Sequence, residues 1–69
     1  MTQKELLYFE DAIGHEKNII AVCRDTINRL TDENLINFME SEVSKHEETQ
    51  NKLMKLLEEK TNEWSNTYG

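Results

Sequence analysis

The chain contains 69 residues with a formal charge of −6, no proline, two glycines and one cysteine. That length accommodates one small domain, the lone cysteine excludes an internal disulfide framework, and an acidic chain without a basic cluster disfavours nucleic-acid binding. Its longest purely apolar run, residues 19–23, is far shorter than a membrane span, and its first residues lack the profile of a signal peptide. Composition therefore predicts a cytoplasmic protein that binds neither membrane nor nucleic acid.

A first helix is predicted over about residues 2–30. Thr2 is followed three positions later by Glu5, which is the spacing of a capping box at a helix start. Eight side chains at alternating three- and four-residue steps share one helical face. They are Leu6, Phe9, Ile13, Glu16, Ile20, Cys23, Ile27 and Leu30. Within this stripe, Cys23 is expected to pack as a small apolar residue.

A second helix is predicted over about residues 32–63, after a short turn. If the first helix continued without a break, its apolar face would next present only polar side chains, so the chain is expected to reverse direction. Thr31 or Asp32 is placed to cap the new helix. The second stripe consists of Leu35, Met39, Glu42, His46, Thr49, Leu53 and Leu56. The predicted fold class is therefore all-α, an antiparallel helical hairpin.

Both stripes are wider than the contact between two helices requires. Further side chains flank the seams: Ala12, Ile19 and Thr26 on the first helix, and Ile36, Val43 and Leu57 on the second. Such breadth suits a bundle of more than two helices, so residues 1–63 are predicted to form a hairpin that dimerises into a four-helix bundle. Residues 64–69 are predicted to be a polar tail, in which Trp64 and Tyr68 either cover the open end of the bundle or offer docking aromatics.

Polar residues interrupt both stripes near the middle. In a hairpin that turns near residues 31–34, residue i lies level with about residue 65 − i of the other helix. This places Glu16 opposite Thr49 and one turn from His46, with Glu42 further out. Inward carboxylate and imidazole groups are how helical bundles hold iron, manganese or zinc. The same residues also suit a Glu16–His46 ion pair that fixes the helix register, and a different register would leave them exposed.

Several short motifs spread over about residues 2–57 are similar to those of a known family. They are Thr2-Gln3-Lys4-Glu5-Leu6, Glu10-Asp11 followed by His15-Glu16, the Asp32 turn leading to Leu35, and Ser44-Lys45 before Leu53. Together they resemble the small two-helix proteins related to spore coat protein F, which belong to the ferritin-like superfamily. The resemblance implies a half-ferritin hairpin that dimerises, and a metal site made by a Glu on the first helix and Glu-x-x-His on the second.

Only part of the ligand set implied by the resemblance is present. Glu16 matches the first-helix Glu, whereas His46 falls at the family's second-helix Glu position and Thr49 at its His position. One carboxylate and one imidazole per chain are too few for a di-iron centre, although Glu42, four residues before His46, partly compensates. The candidate metal ligands are therefore Glu16, Glu42 and His46, with Thr49 as a degenerate fourth position.

Three functions follow as hypotheses. The first is a non-enzymatic structural or assembly protein, homodimeric and, as the resemblance implies, associated with the spore coat and sporulation. The second is a ferritin-like metal-binding protein that holds iron, manganese or zinc between two chains; no other cofactor is predicted. The third is an acidic helical hairpin that regulates another protein by docking on it.

Overall fold

The computed structural model describes the backbone of residues 1–68 and the side chains of residues 1–62. It consists of two α-helices, α1 (Gln3–Arg29) and α2 (Glu33–Tyr68), which are joined by a three-residue turn. No strand occurs in the described backbone. The helices lie side by side in an elongated shape of 54 × 16 × 12 Å. The predicted all-α helical hairpin is confirmed.

Side-chain caps begin both helices, as the sequence predicts. The Thr2 hydroxyl accepts a hydrogen bond from the Glu5 N–H at 3.1 Å, and the Glu5 carboxylate accepts one from the Thr2 N–H at 2.8 Å. The bond from the Thr2 backbone lowers the pKa of the Glu5 carboxyl. After α1 ends, Leu30 is extended, and the Asp32 carboxylate accepts the Leu35 N–H at 3.0 Å to start α2. These bonds satisfy backbone donors that a helix start would otherwise leave unpaired.

A small apolar core lies between the helices, in the half of α1 that is nearer the turn. All eight residues of the predicted α1 stripe are buried or half-buried. Ile20, Cys23 and Val43 form the buried centre, and Ile27 and Met39 pack against it. Cys23 therefore serves as a small apolar core residue, as its place in the stripe predicts.

The stripe predicted for α2 is rotated from the one that the structure buries. Leu35, Thr49 and Leu56 are exposed instead of facing α1. The residues that line the contact with α1 are Ile36, Met39, Val43, His46, Gln50, Leu53 and Leu57. Both stripes share three members, but the observed one buries Val43 and leaves Glu42 partly in water. Since an unpaired carboxylate is costly to bury, this rotation is the less expensive arrangement.

The second helix is longer than the sequence pattern predicts. It continues to Tyr68, beyond the predicted end near residue 63, so most of the segment predicted as a polar tail is helical. The Trp64 and Tyr68 side chains, with their two predicted roles, lie outside the described side chains. Over the described residues, neither helix contains a stretch apolar and long enough to cross a bilayer.

Candidate functional site

Glu16 and His46 meet in the contact between the two helices. Glu16 occupies an α1 stripe position that would otherwise hold an apolar side chain, and His46 comes from α2, 30 positions later. The Glu16 Oε2 atom lies 2.5 Å from His46 Nδ1. The two side chains are 18% and 28% exposed, so the bond is largely shielded from water. Each group gives the other the polar partner that a half-buried position demands.

Two further charged residues continue this contact towards the surface. The Glu42 Oε2 atom lies 3.8 Å from the other ring nitrogen of His46, Nε2. Lys45 Nζ lies 3.5 Å from Glu42 Oε1, and the Lys45 side chain is exposed. Glu16, His46, Glu42 and Lys45 thus form what we call the polar chain, which leads from the helix contact to solvent.

The arrangement within one chain does not suit a metal ion. A metal needs its ligand atoms to converge on one point, with an unprotonated imidazole nitrogen among them. Here Glu16 and Glu42 face opposite nitrogens of His46, so the imidazole separates the two carboxylates. Among the described residues, no set of three His, Cys, Asp or Glu side chains is placed to hold an ion. Metal binding by these residues would therefore need ligands from a second chain, and it stays a prediction.

Thr49 is not part of this cluster, which corrects its predicted place opposite Glu16. Its side chain is exposed, and its hydroxyl donates to the Lys45 carbonyl at 3.1 Å, within α2. The reason is the rotation of α2, which turns the row containing Thr49 out of the helix contact. A threonine hydroxyl in a helix readily bonds the carbonyl four residues earlier when it has no other partner.

The sequence prediction also missed a second ion pair between the helices. Arg24 Nη2 on α1 lies 3.0 Å from Glu47 Oε2 on α2, and both side chains are well exposed. Their positions show which sides of the two helices meet. Arg24 follows Ile20 by four residues and Glu47 follows Val43 by four, so these two flanks lie on one side of the hairpin. On each helix, the residues that come just before the contact residues in sequence form the opposite flank. These two opposite flanks therefore lie together on the other side of the hairpin.

Most exposed apolar side chains lie on that other side, which we call the apolar face. On each helix it comprises the row of residues that flanks the helix contact on this side and the neighbouring row further from the contact. Its large exposed apolar members are Tyr8, Ile19 and Val22 on α1, and Leu35, Phe38 and Leu56 on α2. The side that holds Arg24 and Glu47, the polar face, carries only Leu7 and Met54 of this kind in the described part of the chain. One side of the hairpin is thus apolar and uncovered.

Comparisons with known proteins add no relative to this picture. No family model matches the chain, and neither a curated protein nor a solved structure matches it. The resemblance to proteins related to spore coat protein F, and with it the ferritin-like assignment, therefore stays a prediction from the sequence. What the chain offers to functional interpretation is a helical hairpin with a polar chain in its interior and an apolar face on its surface.

Proposed function

We propose that this chain is a non-enzymatic structural or assembly protein that works as a homodimer, in which two hairpins pack into a four-helix bundle. The observation that carries the proposal is the uncovered apolar face. Large side chains such as Val22 and Phe38 are exposed to solvent on this face. Few apolar side chains among residues 1–62 are buried. Soluble proteins seldom expose a contiguous apolar patch unless another surface covers it.

The total surface of the chain supports the same proposal. The accessible area is 5544 Å² for a mass of 8.2 kDa. A compact monomer of this mass would expose about 4,500 Å², so the hairpin exposes about 1,000 Å² more than expected. Only Ile13, Ile20, Cys23 and Val43 are buried among residues 1–62. A core this small contributes little stability, and association with a second copy would add the missing burial.

The Glu16–His46 bond fits a structural role in this proposal. A polar pair in the helix contact favours one register, because sliding either helix by a turn would leave a half-buried carboxylate and imidazole without partners. This function requires no metal and no substrate. Association with the spore coat and sporulation is part of the proposal through the sequence resemblance alone.

Sedimentation equilibrium tests the proposed homodimer. Between about 1 and about 100 micromolar, we expect the mass of two chains at the upper end and a thermal midpoint that rises with concentration, because association stabilises the folded state by mass action. A single-chain mass throughout, with cooperative unfolding independent of concentration, would overturn the homodimer. That result would support the hairpin regulator that docks on another protein.

Metal binding is a second candidate, because each chain holds Glu16, Glu42 and His46 close together. Since these groups do not converge on one point within a chain, a second chain would have to complete the ligand set. Two copies would bring six such groups together if their polar chains met. Titration calorimetry and elemental analysis with iron, manganese and zinc test this candidate. Stoichiometric binding to the dimer that Glu16→Gln abolishes, and that the exposed control Glu48→Gln leaves intact, would support it. Absence of binding at about millimolar metal would reject it.

A further inference from the structure

We infer that the second copy binds the apolar face alone, so that the dimer is one-sided and the polar face stays in solvent. The inference rests on the homodimer proposed above and names its contact surface. Three independent properties of the hairpin favour this face: the distribution of apolar side chains, the distribution of charge and the available area.

Apolar side chains are distributed unequally between the two sides. Of the nine large apolar residues exposed in the described part of the chain, six lie on the apolar face and two, Leu7 and Met54, on the polar face. Near the turn, Leu35 and Phe38 stand exposed at the start of α2, and Val22 and Ile19 of α1 follow further from the turn, level with about residues 43 and 46 of α2. Near the open end, Tyr8 and Leu56 lie at matching levels of the two helices. Apolar side chains thus occur at both ends of this face.

Charge favours a second copy over other occupants of the apolar face. Among the side chains that the structure describes, residues 1–62, the charged residues of this face are Glu5, Arg29, Glu42, Lys45, Lys52 and Glu59. Three acidic and three basic residues give this face no net charge, whereas the whole chain carries −6. Two identical acidic molecules repel each other least when they approach through a neutral surface. A strongly basic partner would instead be drawn to the other sides of the hairpin.

Charges on this face are also suited to self-pairing. On α2, Glu42 and Lys45, the outer end of the polar chain, lie between the exposed apolar residues Phe38 and Leu56. In a dimer with twofold symmetry, residues close to the axis meet their own copies or close neighbours. A carboxylate and an ammonium side by side can pair across an axis that passes beside them, while the apolar residues before and after them on α2 pack against the second copy.

The area of the face is sufficient for a stable dimer. The hairpin is 16 Å wide, and α1 has 27 residues, which corresponds to about 40 Å at 1.5 Å per residue. The two-helix part therefore offers a footprint of roughly 650 Å² per copy, or about 1,300 Å² in total, within the range of specific interfaces.

The polar face has features that argue against burial. The Arg24–Glu47 ion pair crosses it, and both side chains are more than 45% exposed. Its charged residues in the described part of the chain are Glu10, Lys17, Arg24, Glu33, Glu40, Glu47 and Glu58, which give a net negative charge. The open groove of about 770 Å³ on this side also has charged residues in its lining, among them Glu10, Lys17 and Glu58. Burying this face would remove several charges from water without providing partners for them.

Two matched double variants test the contact surface. Val22→Lys with Leu56→Lys changes the apolar face, and Leu7→Lys with Met54→Lys changes the polar face. Val22 and Leu7 are 64% and 59% exposed, and Leu56 and Met54 are both 47% exposed. Each double variant adds the same charge to the chain, so a general electrostatic effect is the same in both. Sedimentation equilibrium gives the dimer Kd, and far-ultraviolet circular dichroism checks helix content.

We expect the apolar-face variant to raise the dimer Kd at least about 100-fold, since four apolar side chains per dimer lose their burial. The polar-face variant is expected to stay within about 3-fold of wild type. Equal weakening by both variants, or weakening by the polar-face variant alone, would overturn the one-sided contact while leaving the homodimer in place. A wild-type chain that stays monomeric would instead overturn the proposed function.

A gentler pair keeps the test decisive if the lysine variants do not fold. Val22→Ser and Leu7→Ser remove apolar surface from the two faces without adding charge. We expect Val22→Ser to raise the dimer Kd about 10-fold and Leu7→Ser to leave it unchanged. No difference between the two serine variants would contradict the assignment.

Discussion

The Glu16–His46 bond is expected to contribute measurably to folding, and a double-mutant cycle isolates its energy. The bond joins residues 30 positions apart, so it forms only when the two helices pack in the observed register. At 2.5 Å between nitrogen and oxygen, and with both side chains less than one-third exposed, it resembles a shielded hydrogen bond to a charged group. Such bonds contribute about 1.5–3 kcal/mol, and partial exposure places this one near the lower limit.

The cycle compares wild type, Glu16→Ala, His46→Ala and the double variant by urea denaturation at one fixed chain concentration. We expect a coupling free energy of about 1.5 kcal/mol. The Arg24–Glu47 pair is a matched control, because it also joins α1 to α2 but its side chains are 61% and 46% exposed. Its coupling should not exceed about 0.5 kcal/mol. A Glu16–His46 coupling equal to that of the control would refute the argument that shielding in the helix contact strengthens the bond.

Three further substitutions test the core, α1 and its cap. Ile20→Ala should lower the free energy of unfolding by about 2–3 kcal/mol because Ile20 is in the buried cluster, while Leu7→Ala on the exposed polar face stays within about 0.5 kcal/mol; equal losses in urea denaturation would contradict the core. Gly14→Ala should raise the free energy of unfolding by about 0.5–1 kcal/mol, since a helical glycine is entropically costly and a Cβ there meets no described atom within 4 Å. A lower free energy of unfolding would show that another surface packs on Gly14. The folded-state pKa of Glu5 is lowered from 4.5. The wild-type chain should therefore be more stable than Glu5→Gln by its full margin above pH 4.5, and this margin should disappear as the pH falls through the lower folded-state pKa. A margin that grows in acid, measured by thermal melts, would contradict the capping box.

The buried face of α1 could be predicted because only one row of its residues is apolar along nearly the whole helix. Every three- or four-residue step from Leu6 to Leu30 reaches an apolar residue except at Glu16, and no alternative row is comparably apolar. The capping box formed by Thr2 and Glu5 was equally readable, since it depends on local spacing alone. Both predictions concern interactions within one helix or one face, where sequence distance fixes geometry.

The register of α2 could not be predicted from spacing because two neighbouring rows compete. The apolar residues occur as adjacent pairs, Leu35 with Ile36 and Leu56 with Leu57, so either row of the helix offers a stripe. The choice depends on burying Val43 rather than Glu42, which is a comparison of desolvation costs in the packed hairpin. A sequence prediction that included the desolvation cost of burying the Glu42 carboxylate would have selected the observed row.

The polar chain could be predicted only in part, because the positions of its outer members depend on the rotation of α2. Approximate pairing of the two helices brings Glu16 within a turn of His46, whichever row of α2 is chosen. The place of Glu42 beside the second ring nitrogen, and the exclusion of Thr49, depend on the rotation of α2 that spacing leaves open. The role of Lys45 follows from its three-residue spacing from Glu42, which places the two side chains together on a helix surface.

Nuclear magnetic resonance on a dilution series tests the one-sided homodimer most directly. Backbone amide shifts would be followed from about 500 to about 5 micromolar, a range that spans the dissociation of a dimer of moderate affinity. We predict concentration-dependent shifts at Ile19, Val22 and Phe38 on the apolar face, with Ala21 and Asn51 on the polar face unchanged. Shifts centred on the polar face, or no shifts at all alongside a single-chain mass, would contradict it.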